Sequence, residues 1–289
     1  MIDVCIVTYR NEETIGGVLG SVEEKVPGSR VSIWDNSPDQ GTTDAVNLFR
    51  TDSALDINLH GDGTNIGFGH GCNQLAHQSR EEWLMFLNPD AMVGSWPGRE
   101  LVFQADHVVG PVVQFPDGVV QETFGQDRSI WREIKARILR LQLRSTIEEG
   151  VFETDFVSGA AFLVDRARFL ESGGFDANRY FMYYEDLDFC RRWRLAGGKV
   201  QVDPSWRVSH IGGFSARSDH ALALVRSFKS ARAYHRRWSA AAWLFRPVCI
   251  VECLFKLALA VPRRRVGGTG LRTQLAFCRY LVFGHPPAE

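Results

Sequence analysis

The sequence predicts an α/β fold: a mostly parallel central sheet flanked by helices, followed by a C-terminal helical extension. Three observations carry this prediction. Short apolar runs alternate with helical patterns through the first half, as where strands are joined by helical crossovers. Polar residues gather where those runs end, the edge at which ligands bind in open parallel sheets. After about residue 217 the strand pattern stops and helical periodicity alone remains.

Residues 3–8 read as a strand, 13–24 as a helix with Asn11 as its cap, and 30–35 as a second strand. A helix over 43–50, a weak strand over 55–59, a helix over 73–80 and a strand over 83–87 follow. Residues 108–115 and 118–123 read as a hairpin turning through Pro116, Asp117 and Gly118. Residues 128–144 form a basic amphipathic helix pattern with Ile130, Trp131, Ile134, Ile138 and Leu141 on its apolar side. Residues 156–164 read as one strand, 184–196 as a helix, and 200–202 and 205–210 as strands. The helices expected beyond that cover 221–237 and 240–261, with a basic cluster at 263–265.

The 289 residues, 45% hydrophobic and 23% charged, suffice for one large domain with an appendage and do not have a disordered composition. The formal net charge of −1 hides a split. Residues 217–289 hold thirteen Lys/Arg against three Asp/Glu, a net of +10, leaving a net of −11 in residues 1–216. The six cysteines have irregular spacing and no CxxC pair, which suits reduced, buried thiols and a cytosolic compartment. The N-terminus runs directly into strand-like sequence, so no signal peptide is expected. Residues 240–261 contain Arg246, Glu252 and Lys256, and each charge near a bilayer centre costs about 2.5–3.5 kcal/mol, so no spanning helix is expected.

Six places hold candidate chemistry. Thr8, Tyr9 and Asn11 close the first strand and could surround a base or ribose. Asp35 closes the second strand, where a carboxylate accepts from a ribose hydroxyl or a base N–H; Asp-Asn-Ser is equally turn chemistry. Four glycines lie between Gly63 and Gly71, within a run that ends at Asn73. They allow close backbone approach and lead into a helix N-terminus that suits anionic oxygens. The run fits neither a Walker A loop nor a Rossmann fingerprint. Asn88-Pro89-Asp90 follows the strand over 83–87, where a carboxylate can hold a hard divalent cation; a simple turn reads as well. Glu185, Asp186 and Asp188 open a helix among Phe181, Tyr183, Tyr184 and Phe189, which makes them either dipole-favoured capping acids or a general base. His210 ends a strand and, as a metal ligand, would complement Asp90.

These pieces, in this order, resemble the family-two glycosyltransferases with the GT-A fold, and among them bacterial rhamnosyltransferases. The stretches are VTYRNEETI (7–15), WDNSPDQG (34–41), NIGFGHGCN (65–73), FLNPDA (86–91), VSGAAFLVDRARFLESGGFD (157–176), YYEDLDFCRRWRLAGGKV (183–200) and VSHIGG (208–213). The resemblance covers residues 1–216 and implies a catalytic domain there, with 217–289 as a basic amphipathic helical extension. It implies that Thr8, Tyr9, Asn11, Asp35, Gly67, Gly69, Asn73 and Asn88 surround the nucleotide sugar. Asp90 and His210 would hold a divalent metal, Mg2+ or Mn2+. Asn88 stands where the family's metal motif has its first acid, leaving one charge fewer on the metal. Ser158 and Gly159 would floor the acceptor site. Asp186 would be the catalytic base and Glu185 its support or an acceptor contact.

The implied activity is inverting transfer of a sugar onto an acceptor hydroxyl in cell-envelope glycan synthesis. The donor favoured is dTDP-rhamnose, with uridine-diphosphate sugars as the alternative, and the acceptor is a lipid-linked saccharide or polysaccharide. The basic tail around an apolar stretch suits a peripheral anchor on an anionic membrane surface, at the inner face of the cytoplasmic membrane, or a homodimer interface. Its apolar length argues against nucleic acid. Two other classes compete: a nucleotide-sugar or carbohydrate-binding protein that has lost catalysis, favoured by Asn88, and a nucleotidyltransferase, disfavoured by the glycine-free loop Thr8-Tyr9-Arg10-Asn11-Glu12.

Overall fold

The structure is a computed structural model and describes residues 1–98, 104–139, 146–212, 220–260 and 270–284. The basic cluster at 263–265, the boundary near 217 and the end of the helix expected over 128–144 lie outside the described residues.

The chain divides into two compact units. The first holds residues 1–127, 144–181 and 185–215 and is built on a nine-stranded sheet. Four parallel strands form one side: β1 (Ile2–Thr8), β2 (Arg30–Asp35), β3 (Asp56–His60) and β4 (Trp83–Leu87). Helices α1 (Ile15–Lys25), α2 (Gly41–Arg50) and α3 (Phe68–Gln78) connect them. Every residue of β1 after Ile2 and all of β4 are buried, the mark of strands covered on both faces. α1 turns Ile15, Val18, Leu19 and Val22 inward, an i, i+3, i+4, i+7 stripe.

The other side of the sheet is mixed. It contains β5 (Ala91–Ser95), β6 (His107–Gln114), β8 (Phe152–Glu153), β10 (Ala161–Asp165) and β11 (Lys199–His210). The order is β3-β2-β1-β4-β10-β6-β11-β5, with β8 on β11. β10 runs antiparallel to β4 and β6, whereas β11 runs parallel to β6 and antiparallel to β5. A small second sheet pairs β7 (Phe124–Gly125) with β9 (Phe156–Val157). Helices α5 (Arg166–Glu171) and α6 (Glu185–Leu195) complete this unit. Behind them Phe86, Phe162, Phe169, Phe175 and Phe189 form a cluster with centroids 5.0–6.1 Å apart.

Three elements differ from the sequence reading. The single strand expected over 156–164 is two strands, because the chain breaks at Ser158-Gly159-Ala160. The two strands expected over 200–202 and 205–210 are one, with a register shift between Asp203 and Arg207 that absorbs Pro204. The hairpin keeps its turn, but its second arm reduces to a bridge between Gln114 and Val120.

The second unit holds residues 128–143, 182–184 and 216–289. Its described helices are α4 (Ile130–Leu139), α7 (His220–Trp238), α8 (Phe245–Ala260) and α9 (Leu271–Phe283), with a short 3-10 turn at Ala242–Leu244. Pro247 falls in the first turn of α8, where its missing N–H costs nothing. Arg246 caps α9 by donating to the carbonyls of Leu281 (2.9 Å) and Val282 (3.2 Å). A buried polar network lies at the centre. Both Glu133 carboxylate oxygens accept from the Tyr184 hydroxyl, at 3.0 and 3.1 Å, and His235 Nε2 sits 3.0 Å from Oε2. Arg137 joins Glu133 at 3.5 Å and Glu252 at 2.6 Å. Tyr183 and Tyr184 both hold left-handed backbone, φ 71° and 68°, which is rare for aromatic residues. All six cysteines are buried and free of disulfides, as expected.

Candidate active site

The first unit gathers the candidate residues at the carboxyl ends of β1, β2 and β4 and at the start of α6. Thr8 and Asp35 are register partners at the ends of β1 and β2. Thr8 Oγ1 donates to Asp35 Oδ1 (2.9 Å), which also accepts from the Ser37 N–H (3.0 Å), while Oδ2 accepts from Thr43 Oγ1 (3.2 Å). Asn11 is fully buried; its Oδ1 accepts from the Tyr9 N–H (2.8 Å), and its own N–H donates to Thr42 Oγ1 (3.0 Å). Tyr9 is half-buried at the rim. This corner is a set of preorganised loop ends whose polar side chains are largely engaged with one another.

The glycine-rich run is packed by the chain itself. Gly67 has φ +86°, and a Cβ there would fall 2.5 Å from the Phe181 carbonyl oxygen, which accepts from the Phe68 N–H. A Cβ at Gly71 would meet Val7 at 2.8 Å, and one at Gly69 would meet Phe175 at 3.2 Å. Phe181, Val7 and Phe175 thus pack closely on the glycines around the start of α3. Asn73 likewise spends its amide on the backbone of Phe175, donating to its carbonyl (2.8 Å) and accepting from its N–H (2.9 Å). Its observed role is to hold the 173–176 loop.

Asn88, Asp90 and His210 come together. Asn88-Pro89-Asp90 turns β4 into β5, and β11 ends beside it with His210 opposite Ala91. His210 Nε2 lies 3.1 Å from Asp90 Oδ1 and 3.3 Å from Asn88 Nδ2. On the far side of the ring, Nδ1 is 2.9 Å from Gln121 Oε1, and Gln121 Nε2 donates to the His210 carbonyl. Nε2 therefore faces both a carboxylate oxygen and an amide nitrogen, while Nδ1 faces an amide oxygen. An imidazole protonated at Nδ1 would turn its Nε2 lone pair toward that carboxylate, and the two together could then bind a cation. This donor set, one imidazole nitrogen and one carboxylate, would suit a divalent metal. Among the described residues no group of three or more His, Cys, Asp or Glu side chains is arranged to hold a metal ion.

Asp186 lies in the first turn of α6. Its Oδ2 accepts from the Gly159 N–H and its Oδ1 from the Leu187 N–H, both at 2.8 Å. The next residue, Ala160, accepts from the Asn88 N–H at 2.9 Å. The Ser158-Gly159-Ala160 break thus ties the start of α6 to the Asn88–Asp90 turn. Glu185 is buried, and its charge helps push the buried Cys72 thiol well above the ordinary range, after burial itself. Asp188 is structural: it accepts from Tyr180 (3.2 Å) and pairs with Arg192 (2.9 Å), which in turn holds the carbonyls of Ser172 and Gly174.

Sequence reasoning missed Gln121 and Asn36. Asn36 Oδ1 accepts from the Ile66 N–H (3.1 Å) and its Nδ2 donates to the Gly67 carbonyl (3.4 Å), fixing the glycine run to the end of β2. Asn36 lay inside a quoted motif and could have been weighed as a loop tether. Gln121 lies 89 residues from His210 and had no local signal.

No family model matches the chain. In sequence it is similar to the N-acetylglucosaminyl-diphospho-decaprenol L-rhamnosyltransferase of Mycobacterium tuberculosis (strain ATCC 25618 / H37Rv), with 28% identity over 218 residues, 66% of this chain and 71% of that one. It is also similar to the rhamnosyltransferase WbbL of Escherichia coli (strain K12), with 35% identity over 83 residues, 29% of this chain and 31% of that one. In fold it is similar to GalNAc-T7 with UDP, GalNAc and Mn2+, at TM-score 0.57 and 16% identity, covering 73% of this chain and 43% of that one. It is also similar to the mannosyltransferase PcManGT of Pyrobaculum calidifontis with GDP-Man and Mn2+, at TM-score 0.55 and 17% identity, covering 97% and 84%. Fold and sequence together make this chain a glycosyltransferase with the GT-A fold. Within that class it resembles rhamnosyltransferases.

Proposed function

We propose that this chain is an inverting glycosyltransferase that moves a sugar, rhamnose from dTDP-rhamnose, onto a hydroxyl of a lipid-linked or polysaccharide acceptor in cell-envelope glycan synthesis. The observation that carries this reading is the placement of Asp186. Its carboxylate is fixed by two backbone N–H groups, and the segment that supplies one of them also supplies the carbonyl that holds Asn88. A fixed carboxylate beside a loop that can seat an acceptor is the arrangement a general base needs.

In this reading Asp186 takes the proton from the acceptor hydroxyl. The hydroxyl oxygen bonds to the anomeric carbon from the face opposite the diphosphate. The carbon–oxygen bond to the diphosphate breaks, and the nucleoside diphosphate leaves with that electron pair. Inversion follows from the single displacement. Ser158 and Gly159 seat the acceptor, and Glu185 supports Asp186. Thr8, Tyr9, Asn11, Asp35 and Asn88, with the backbone at Gly67 and Gly69, shape the nucleotide-sugar side. Asp90 and His210 would hold a divalent cation, Mg2+ or Mn2+, and when bound it supplies charge neutralisation for the diphosphate. Residues 1–216 are the catalytic part in this reading and 217–289 an extension that meets a membrane surface at the cytoplasmic face. Among the described residues no helix is long and apolar enough to cross a membrane.

The test is Asp186→Asn with dTDP-rhamnose and divalent metal. Transfer is expected to fall by about 10²–10⁴-fold while donor affinity stays within about threefold. Near-normal turnover would remove Asp186 from the role. A thermal-shift comparison of thymidine-, uridine- and guanosine-diphosphate sugars decides the donor.

A further inference from the structure

α8 buries one side and exposes much of the other. Phe245, Cys249 and Cys253 point into the second unit. On the opposite side Val251, Leu254 and Phe255 are 67%, 51% and 50% exposed, and Trp243, just ahead of the helix, is 72% exposed. Pro247 and Ala258 are exposed on the same line. Positions 247, 251, 254, 255 and 258 fall at i, i+4, i+7, i+8 and i+11, which is one stripe of a helix. The exposed side of α9 mixes apolar and cationic groups: Arg272, Leu275, Arg279 and Val282, with Phe283 beside them. Apolar surface gathered in this way marks an interaction site.

Charge selects the occupant. Residues 217–289 carry a net of +10 and the rest of the chain −11. Arg232, on α7, is pushed below its ordinary range by burial and by the nearby Arg236 and Arg246, a cluster of like charges. A second copy docked on α9 would bring two basic surfaces together, whereas a layer of anionic headgroups over acyl chains satisfies both kinds of side chain. The 16 residues of α8 span about 24 Å and include Glu252 and Lys256, so the helix suits lying along a bilayer, not crossing it.

We propose that this face of the second unit docks on an anionic lipid surface, with Trp243, Val251, Leu254 and Phe255 entering the headgroup–acyl boundary and Arg272 and Arg279 meeting lipid phosphates. The inference deepens the membrane-surface part of the proposed function and is independent of the role of Asp186.

The experiment is vesicle co-sedimentation of the full chain, using phosphatidylcholine vesicles with and without about one third phosphatidylglycerol, alongside sedimentation velocity without lipid. Wild type is expected to bind the anionic vesicles, to bind phosphatidylcholine at least tenfold more weakly, and to lose affinity as salt rises. Val251→Gln/Leu254→Gln/Phe255→Gln is expected to lose at least tenfold in partitioning while keeping its melting temperature and its sugar transfer to a water-soluble acceptor. Wild type that ignores anionic vesicles overturns the proposal whatever the variant does. So does a wild-type dimer that the variant turns into monomer with partitioning unchanged, since the stripe would then be a self-association surface. Vesicle binding as expected with no transfer from any sugar donor leaves this inference standing and removes the catalytic reading alone.

Discussion

Replacing Glu133 with alanine is expected to be the most damaging single change in the second unit. The buried carboxylate takes two hydrogen-bond contacts from the Tyr184 hydroxyl, pairs with His235 and is joined by Arg137. Truncation leaves the buried Tyr184 hydroxyl and the buried His235 imidazole without their acceptor, about 1–3 kcal/mol each, while Arg137 keeps Glu252. These losses overlap, so the whole effect is about 2–4 kcal/mol. Tyr184→Phe removes only the donor and should cost about 1 kcal/mol. Urea unfolding followed by far-UV circular dichroism measures both. The pH dependence gives a second check. Burial raises the Glu133 carboxyl, but the hydrogen bond to His235 and the charge of Arg137 outweigh it, and its native value lies below the ordinary 4.5. A depressed carboxyl contributes stability above its unfolded value and loses it as pH falls through the native one. The gap between wild type and Glu133→Ala should therefore shrink as pH falls below about 4.5. A gap under about 1 kcal/mol at neutral pH, or one that widens on acidification, would refute the reasoning.

Two further outcomes are expected. Gly67→Ala and Gly118→Ala both force alanine to φ +86°, but a Cβ meets the Phe181 carbonyl at 2.5 Å only at Gly67, with nothing within 4 Å at Gly118. The shared backbone cost is about 1–2 kcal/mol, so urea unfolding should show Gly67→Ala worse by at least about 2 kcal/mol; equal losses would mean the close approach is soft. Gln121→Leu removes the acceptor opposite His210 Nδ1 and should weaken Mn2+ binding about 10–100-fold in calorimetry with a nucleoside diphosphate present. Unchanged affinity would take His210 out of the metal site.

The parallel half of the sheet was legible because its signals are local. The strands over 30–35 and 83–87 have the expected bounds, and the motif at each strand end sits at the sheet edge where a ligand would bind. The mixed half was less so. β5 is five residues containing Ala91 and Gly94, too short and small to show a period. The break at Ser158-Gly159 hides inside a continuous apolar run, and its cause, a hydrogen bond to Asp186, lies 27 residues away. α9 was missed because Arg272 and Arg279 interrupt its apolar pattern on the exposed side. Residue type and order place the motifs along the chain but do not reveal their hydrogen-bond partners. Asp35 announced itself as a strand-end acid, whereas nothing near Gln121 reveals that it turns the ring of His210.

The glycine run has a consequence for descent. Because Gly67 is required by the Phe181 carbonyl and Gly71 by Val7, selection for a folded chain preserves both whether or not a nucleotide is ever bound. If Asp186 and Asp90 act as proposed, a lineage that gave up sugar transfer would keep these glycines and drift first at those two acids. Retired copies of such an enzyme are thus recognised at the acids, while the glycines continue to advertise an activity that is gone.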